Sequence, residues 1–578
     1  MGNTDGNTGR LIVRGGLVVD GSGGAPRAAD VEVLGDRIGA LAAPGTLADR
    51  PGTEVLDARG CIVTPGFIDV HTHYDGQATW SDSLSPSSWH GVTTAVMGNC
   101  GVGFAPCHPE QREMLVHLME GVEDIPEIVL NAGLPWTWRS FPEYLDTLAA
   151  RRYDVDLIAQ IPHAPLRVYV MGERGVRREP ATADDRAAMA RLVGEAVRAG
   201  AWGFSSSRAI SHKSRDGTPV PTLDAGEAEL SEIGLALRAA GKGVLQFVTD
   251  IAQKAEDGVA EFAMLRRVVE RSGRPMSMNI TQREMDPEGW RRQMRMVADA
   301  NAAGLKVTGQ VMGRAIGLVM GFDLTDHPFA RNPSFQALAQ LPYPERLARL
   351  ADPALRASIL ADQPDDAGFA SRACAFDRIF EIGPVPDYEP RPGEALAARA
   401  ARLGVSPAEL AYDLMLARDG QGLLYRPILN YAHGDLEDVR AMLEHPHTVP
   451  GVADGGAHYG LVCDASITTF ALTYWTRQRG RGPRLALPWL IKRHCADPAA
   501  MLGLHDRGRI ATGLKADLNV IDYERLTLHR PEVVYDLPGQ ARRLVQRATG
   551  YRATILSGVV TRRDDQATGA LPGRLQRS

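Results

Sequence analysis

Between residues 65 and 507 the chain alternates short apolar runs with longer helical patterns. This alternation is typical of βα units, because two parallel strands need a crossover between them and that crossover is usually a helix. The runs that predict strands are 67–71, 93–97, 155–161, 201–206, 243–248, 276–281, 305–311, 423–430 and 448–453. A TIM-like (β/α)8 barrel needs eight strands. One of the nine candidates therefore lies outside the barrel, and the pattern alone does not say which.

Helical patterns lie between several of these runs. The best marked covers 182–199, with Thr182 as N-cap and Gly200 as the stop signal, and others cover 224–240 and 286–303. The segment 312–422 is Pro-rich and only partly helical. Because a structureless loop of that length is implausible in a compact domain, we expect an inserted subdomain or a lid there.

Both ends of the chain have β character. Short apolar runs punctuated by glycines fill residues 11–64, and similar runs return at 516–521 and 553–560. Neither end holds enough strands for a closed sheet of its own. We therefore predict an α/β protein in which a barrel domain, 65–507, is inserted into a small β-sandwich built from residues 1–64 and 508–578.

Composition excludes several classes of partner. A net charge of −6 and 23% charged residues in 578 give no support to binding of nucleic acid or anionic membranes. The six cysteines are sparse, and the first ten residues lack a positive region followed by an apolar core. The chain also has no uninterrupted apolar stretch near 18 residues. We expect a cytoplasmic protein, and the pattern does not indicate its oligomeric state.

The first predicted barrel strand runs into two histidines, His71 and His73. Residues at i and i+2 of a strand point to the same face, so both imidazoles can converge on one point. The carboxyl ends of barrel strands are where active sites are built. Two imidazoles on one rigid element suit a divalent metal. The alternative, two incidental histidines in a loop, fits the rest of the chain less well.

Two further residues at strand ends can join such a site. Cys100 follows the apolar run 93–97 between glycines, and a thiolate is a strong zinc ligand, although a small buried cysteine explains the position equally well. Asp454 follows the run 448–453 and precedes two glycines. A carboxylate there can bind a metal and move protons, but taken alone the pattern is that of a turn.

Several motifs together resemble a known family. PGFIDVHTHYD (65–75), GVTTAVMGNCG (91–101), ADGGAH (453–458) and DRGRIATGLKADLNVID (506–522) occur in the order found in the amidohydrolase superfamily. GNCG after a TTAVM strand resembles more narrowly the D-aminoacylase branch, the N-acyl-D-amino-acid deacylases. The similarity runs over nearly the whole chain and is weakest through 312–422.

The resemblance implies a metal-dependent hydrolase of amide bonds with a (β/α)8 barrel and a split β-sandwich. His71 and His73 match the first-strand metal ligands, Cys100 matches the second-strand cysteine ligand, and Asp454 matches the last-strand aspartate that serves as general acid and base. We expect Zn2+, one ion per chain, although other divalent metals fit the same donors.

The chain departs from that family where the fifth and sixth strands usually supply one metal-binding histidine each. The corresponding runs carry Gln246 and Gln282 instead, and an amide oxygen is a much poorer zinc ligand than imidazole. The expected ligand set is therefore His71, His73, Cys100 and Asp454. Gln246 and Gln282 become candidates for substrate binding.

Other polar residues follow predicted strands. His163 is a candidate to polarise a substrate carbonyl, with a hydrogen-bonded structural histidine as the equal alternative. Arg208 is a candidate clamp for a substrate carboxylate, since a guanidinium binds carboxylates through two parallel hydrogen bonds. We expect His433 and His458 to lie at the rim of the site.

The predicted activity is hydrolysis of the amide bond of N-acyl-D-amino acids by a metal-activated water, with Asp454 moving the proton and a small amide as the only partner. One alternative is a cyclic amide or imide substrate, as in hydantoinase-like relatives, although those usually carry a bridging lysine where this chain has Cys100. The other is a catalytically silent relative that binds a small molecule, for which the two missing histidines are the best support.

Overall fold

The structure is a computed structural model that describes residues 9–252, 255–363 and 367–578. The first ten residues, on which the prediction of no leader segment depends, lie almost wholly outside this part of the chain. Within the described residues, no helix combines the length and apolar character needed to cross a membrane.

Parallel strands form the centre of a mixed α/β fold. One parallel sheet contains Phe67–Asp69, Val92–Met97 and Asp156–Ala159. Only Gln160 separates the last strand of this sheet from the first strand of a second parallel sheet. At the other edges of the two sheets, a parallel bridge joins Thr72 to Gly455. The second sheet has the order Thr448–Pro450, Val307–Val311, Met276–Asn279, Val244–Thr249, Gly203–Arg208 and Ile161–Pro162.

Helices connect these strands, and the three helices predicted there are confirmed with shifted starts. The helix Ala183–Ala199 begins at Thr182, whose hydroxyl accepts a hydrogen bond from the Asp185 amide, and it ends at Gly200 in the left-handed conformation. The other two run from Glu227 to Ala240 and from Gly289 to Ala302. The remaining helices around the parallel strands are Gln77–Trp80, Arg112–Glu123, Glu127–Gly133, Phe141–Ala149, His163–Met171, Glu173–Val176, Ala255–Ser272, Glu437–Glu444, Ile467–Phe470, Ala471–Gln478, Leu487–His494 and Ala496–Leu502.

Of the nine strand candidates, 423–430 is the one that does not belong to the parallel set. Its strand, Leu424–Leu429, pairs antiparallel with Ile316–Met320 and with Phe380–Glu381. This small sheet packs on a hydrophobic core of its own, which includes Phe322 and Tyr412. The segment 312–422, predicted to be an insertion, therefore shares its sheet with the strand Leu424–Leu429. Its helices are Pro333–Gln336, Tyr343–Leu350, Pro353–Ala361, Ala367–Ala373, Leu396–Leu403 and Pro407–Leu416.

Both chain ends contribute to one nine-stranded sheet, in which Ile62–Pro65 lies between Arg10–Val18 and Leu518–Ile521. Valines and isoleucines from both ends share one core. Its other strands are Arg27–Leu34, Arg37–Ala42, Thr53–Asp57, Tyr551–Leu556, Val559–Arg563 and Gln566–Ala567.

Part of the segment 508–578, which was predicted to belong to the composite β domain, lies outside that nine-stranded sheet. Thr527–Leu537 and Ala541–Thr549 form a separate hairpin. It packs towards the parallel strands, since the Leu544 amide donates to the Tyr459 carbonyl and Arg543 donates to Ser85. The alternating pattern of a hairpin is the same whichever sheet it packs against, so the sequence did not reveal this placement.

A buried ionic cluster joins the terminal sheet to the parallel strands. Lys515 and Arg507 both donate to the Asp156 carboxylate, and Lys515 also donates to Asp517 at 3.0 Å. Burial alone would raise the pKa of Asp156, but the two cations outweigh it and hold the pKa below its ordinary value. Asp156 begins a parallel strand, and Asp517 directly precedes a strand of the terminal sheet, so the cluster connects the two sheets.

We predict that Asp156→Ala lowers the free energy of unfolding by about 3–5 kcal/mol, because it leaves two buried cations without their shared carboxylate. Urea denaturation followed by circular dichroism measures the change. Asp146→Ala is the matched control: Asp146 pairs with Arg577 on the surface, its side chain is 71% exposed, and its loss costs at most about 1 kcal/mol. Equal effects of the two substitutions would contradict the prediction.

Candidate metal centre

His71 and His73 lie just beyond the first parallel strand, which ends at Asp69, two residues earlier than predicted. Both side chains are 1% exposed or less, and their ring centroids are 5.5 Å apart. The donor atoms of His71, His73 and Cys100 all lie within 4.8 Å of one another. The three residues therefore face a common point although the strand does not continue through them.

His71 is oriented by a hydrogen bond on the far side of its ring. Its Nδ1 lies 2.7 Å from Gln310 Oε1, and Gln310 Nε2 donates to Ser277 Oγ at 3.1 Å. An amide oxygen accepts, so Nδ1 carries the proton and Nε2 keeps its lone pair. Nε2 lies 3.3 Å from Cys100 Sγ and 3.4 Å from Asp454 Oδ1. Gln310 thus prepares His71 for ligation through Nε2.

Cys100 sits in a turn with two glycines. Gly98, Cys100 and Gly101 all have positive φ, and a Cβ on Gly98 or Gly101 would lie under 3 Å from backbone atoms of Gln160 or Ser206. The glycines therefore allow the chain to pass close to its neighbours. Burial raises the pKa of the Cys100 thiol to about 12. A cation at the common point would stabilise the thiolate instead.

Asp454 reaches the same point from the loop after Thr448–Pro450. Its amide donates to the His71 carbonyl at 3.1 Å, and its Oδ1 lies 3.5 Å from His73 Nε2. Burial would raise the pKa of Asp454, but the two histidines outweigh it and lower the pKa well below its ordinary value. Asp454 is therefore ionised near neutrality.

The donor set fits a divalent metal. Buried polar atoms that lack a hydrogen-bond partner among the described residues gather here: His73 Nδ1 and Nε2, Glu123 Oε1 and Asp454 Oδ1. Such atoms are costly in a protein interior unless a ligand satisfies them. Three of the contacts between donor atoms, at 3.3–3.5 Å, are close to the edge of about 3.4 Å of a tetrahedron with metal bonds of about 2.1 Å. Sulfur, nitrogen and oxygen donors together suit Zn2+.

Glu123 escaped the sequence analysis, and His458 lies closer to the donor set than its predicted place at the rim. Glu123, at the end of the helix Arg112–Glu123, lies 3.4 Å from His73 Nε2. His458, predicted for the rim, lies 3.6 Å from Glu123 Oε2 and 3.9 Å from Asp454 Oδ2, with its side chain 23% exposed. Glu123 is one of several acidic residues in an ordinary helical pattern, so the sequence did not mark it as a site residue. His458 was already marked by the ADGGAH motif.

The two glutamines differ in their contacts. Gln282 is occupied: its Nε2 donates to Asp438, and its Oε1 accepts from the Ala432 amide at 2.9 Å. Gln246 is 1% exposed, and neither of its amide atoms has a described partner. The prediction of substrate binding stays a prediction for both, and only Gln246 has its amide free for it.

His163 and Arg208 have their polar groups engaged. His163 contacts Ser206 Oγ at 2.8 Å and Glu229 Oε1 at 2.7 Å, which is the structural alternative considered above. Arg208 pairs with Glu261 at 3.0 Å and donates to the Ala225 carbonyl. A role in substrate binding stays a prediction for both. For His163 it requires these contacts to break, whereas the Arg208 guanidinium has further N–H groups beyond its two contacts. His433 is half exposed and pairs with Asp438, away from the donor set.

Comparison with known proteins gives one family. A model of the amidohydrolase family matches residues 54–562. The chain is 30% identical to N-acyl-D-glutamate deacylase of Alcaligenes xylosoxydans xylosoxydans over 89% of its own length and 87% of the relative's. It is 39% identical to N-acyl-D-aspartate deacylase of the same organism, over 34% of its own length and 36% of the relative's.

Solved structures show the same fold. A crystal structure of D-aminoacylase superposes with a TM-score of 0.64 at 22% identity, covering 98% of this chain and 99% of the other. N-acyl-D-glutamate deacylase of Bordetella bronchiseptica, solved with zinc and a phosphonate inhibitor, superposes with a TM-score of 0.63 at 22% identity over the same shares.

We predict that Gln310→Leu weakens zinc binding about 10–100-fold, because His71 loses the acceptor that selects its tautomer. Gln310→Glu keeps an acceptor oxygen at that position and serves as the matched control, with a smaller loss. Titration of zinc against a chromophoric chelator measures both dissociation constants. Equal affinities for the leucine variant and the wild type would show that Gln310 does not prepare the site.

Proposed function

The chain belongs to the amidohydrolase family, in its D-aminoacylase branch, and we propose that it is a metal-dependent hydrolase of N-acyl-D-amino acids. The observation that supports this most directly is the convergence of two imidazoles, a thiol and a carboxylate from three separate stretches of the chain. A small-molecule amide is its proposed partner. The six free cysteines further support a reducing compartment, and we propose the cytoplasm.

The proposed architecture is a (β/α)8 barrel. The two parallel sheets follow each other directly at Gln160 and meet again through the Thr72–Gly455 bridge, which supports closure. Cys100 and Asp454 come after the carboxyl ends of their strands, where barrel enzymes build their sites. The proposed domains are this barrel, the composite β domain of both termini, and an insertion that extends to Leu429.

His71, His73, Cys100 and Asp454 would hold the metal. Such an ion supplies Lewis acidity, because it polarises a carbonyl oxygen and lowers the pKa of water from about 15.7 to about 7. His71, held by Gln310, fixes one side of the site, and the Cys100 turn fixes the other. The surrounding residues are buried, which keeps bulk water away from the reacting groups.

Asp454 would move the proton. Asp454 is ionised near neutrality, so its carboxylate oxygen can accept a proton from the attacking water as the water oxygen bonds to the acyl carbon. The same carboxyl then gives the proton to the nitrogen as the C–N bond breaks. The products are a carboxylate from the acyl group and a free D-amino acid.

The two alternatives are less well supported. Cys100 stands where the hydantoinase-like relatives carry a lysine, which disfavours a cyclic imide substrate. A silent binding protein would not need an ionised, unpartnered Asp454 oxygen beside two buried histidines.

Hydrolysis of paired N-acetyl-D- and N-acetyl-L-amino acids, with cyclic imides in the same panel, tests the proposal. We expect release of the free D-amino acid by the zinc-loaded enzyme, with slower turnover of the L series and no imide opening. Imide opening alone would favour the cyclic substrate. Tight zinc binding without hydrolysis of any amide would favour the silent binder.

We predict that Asp454→Asn lowers kcat about 100- to 10,000-fold at saturating zinc, because the amide does not accept the proton from water. Asp419→Asn is the matched control, since Asp419 has a similar positive φ but is exposed on the surface. Its kcat stays at the wild-type value. Full activity of Asp454→Asn with zinc bound would remove Asp454 from the proton path.

A further inference from the structure

Glu123 ends the helix Arg112–Glu123 inside the protein, with its side chain 2% exposed. The helix stops there because Asp124 takes a left-handed conformation, with φ of 50°. Hydrogen bonds then connect the helix end to the loop that carries Asp454. The His458 amide donates to the Glu123 carbonyl, and the Gly460 amide donates to the Asp124 carboxylate at 2.8 Å. The backbone therefore holds Glu123 next to the proposed metal site.

Among the described residues, the ion-pair partners of the Glu123 carboxylate are two histidines, while the Asp454 and Asp75 carboxylates also lie close enough to repel it. Glu123 Oε2 lies 3.4 Å from His73 Nε2 and 3.6 Å from His458 Nε2, and its Oε1 has no described hydrogen-bond partner. Burial raises the pKa of Glu123 to about 7, although His73 opposes this. A buried carboxylate is stable in an interior when it is paired with a cation or binds one.

The position of Glu123 relative to the His73 ring separates two possible roles. A carboxylate that only orients a metal-binding histidine contacts the ring nitrogen opposite the metal, as Gln310 contacts Nδ1 of His71. Glu123 instead contacts Nε2 of His73, the nitrogen that also faces Asp454 Oδ1 at 3.5 Å. His73 Nδ1 has no described partner. Glu123 is thus on the side where a metal would lie.

We propose that Glu123 is a further ligand of the metal, bound on the His73 side of the site and supplied by a helix instead of a strand end. The assignment rests on the proposed function, since it requires that His71, His73, Cys100 and Asp454 bind a divalent metal. Carboxylate oxygen is an ordinary zinc ligand, and a fifth donor also makes a cation of harder character acceptable. His458 Nε2 lies 3.6 Å from Glu123 Oε2, on the outer side of the proposed site.

Metal binding by Glu123→Gln and Glu123→Ala tests this assignment. Glu113→Gln is the matched control, because Glu113 lies on the same helix with its side chain 83% exposed. His71→Ala is the control for loss of an expected ligand. We expect the zinc dissociation constant, measured by chelator competition, to rise at least about 100-fold for Glu123→Ala, more than for loss of an orienting residue. Glu113→Gln should match the wild type.

Cobalt substitution reports on the ligands without any activity assay. In Glu123→Ala the visible d–d bands of Co2+ should change, because a ligand is lost, while the charge-transfer band of the Cys100 thiolate stays. X-ray absorption of the wild-type zinc form should show one sulfur and five nitrogen or oxygen neighbours, four from the protein and one from water, against four such neighbours in total without Glu123, and this measurement needs no variant. Glu123→Gln removes a buried charge at constant shape, so circular dichroism should show it folded.

Two results overturn the assignment and differ in what else they overturn. If His71→Ala loses zinc while both Glu123 variants keep the wild-type dissociation constant and cobalt spectrum, Glu123 is not a ligand and the proposed function stands. If the folded wild type binds no divalent metal, the proposed function falls, and the assignment of Glu123 falls with it.

Discussion

The central constraint on this structure is the free-energy cost of burying ionisable side chains whose polar atoms have no hydrogen-bond partner. His73, Glu123 and Asp454 all present buried atoms that no described residue satisfies. Each such atom loses its hydration without a hydrogen bond in return, and this loss lowers the free energy of unfolding. A divalent cation that binds these atoms recovers it, and metal binding then contributes to the stability of the fold.

Bringing the donors together also requires unfavourable backbone conformations at several residues. Cys100, Val452, Asp454 and His458 all have positive φ, and Val452 is β-branched, which makes that conformation unusual. Backbone strain of this kind costs about 1–3 kcal/mol per residue and persists where the surroundings enforce it. Here the enforcing contacts are the bonds between the loop 454–460 and the residues His71, Glu123 and Asp124. The strain is therefore concentrated where the donors meet.

The sequence predicted those parts of the fold that are encoded locally. Eight strands, three helices and the His71–His73 pair follow from periodicity and spacing, but Cys100 and Asp454 became firm candidates only through the family resemblance. Glu123 was missed because a glutamate at a helix end is ordinary, and its role depends on contacts with a loop more than 300 residues later. The sequence did not show that the run containing Leu424–Leu429 is the candidate outside the parallel set, since the sequence of a single strand does not specify its pairing partners.

The two glutamines show how one residue type takes different roles at equivalent positions. Gln282 is held by Asp438, which also pairs with Arg291, so turning its amide towards the metal would leave that buried carboxylate short of a donor. Gln246 is the register partner of Ser205 and Ser277, and Ser277 supports Gln310. Neighbours in register share a face of a parallel sheet, so the Gln246 amide lies on the face that holds His71. An amide with a free donor and a free acceptor complements the N–H and C=O of an amide substrate. This side of the site is thus better suited to substrate than to a second metal ion.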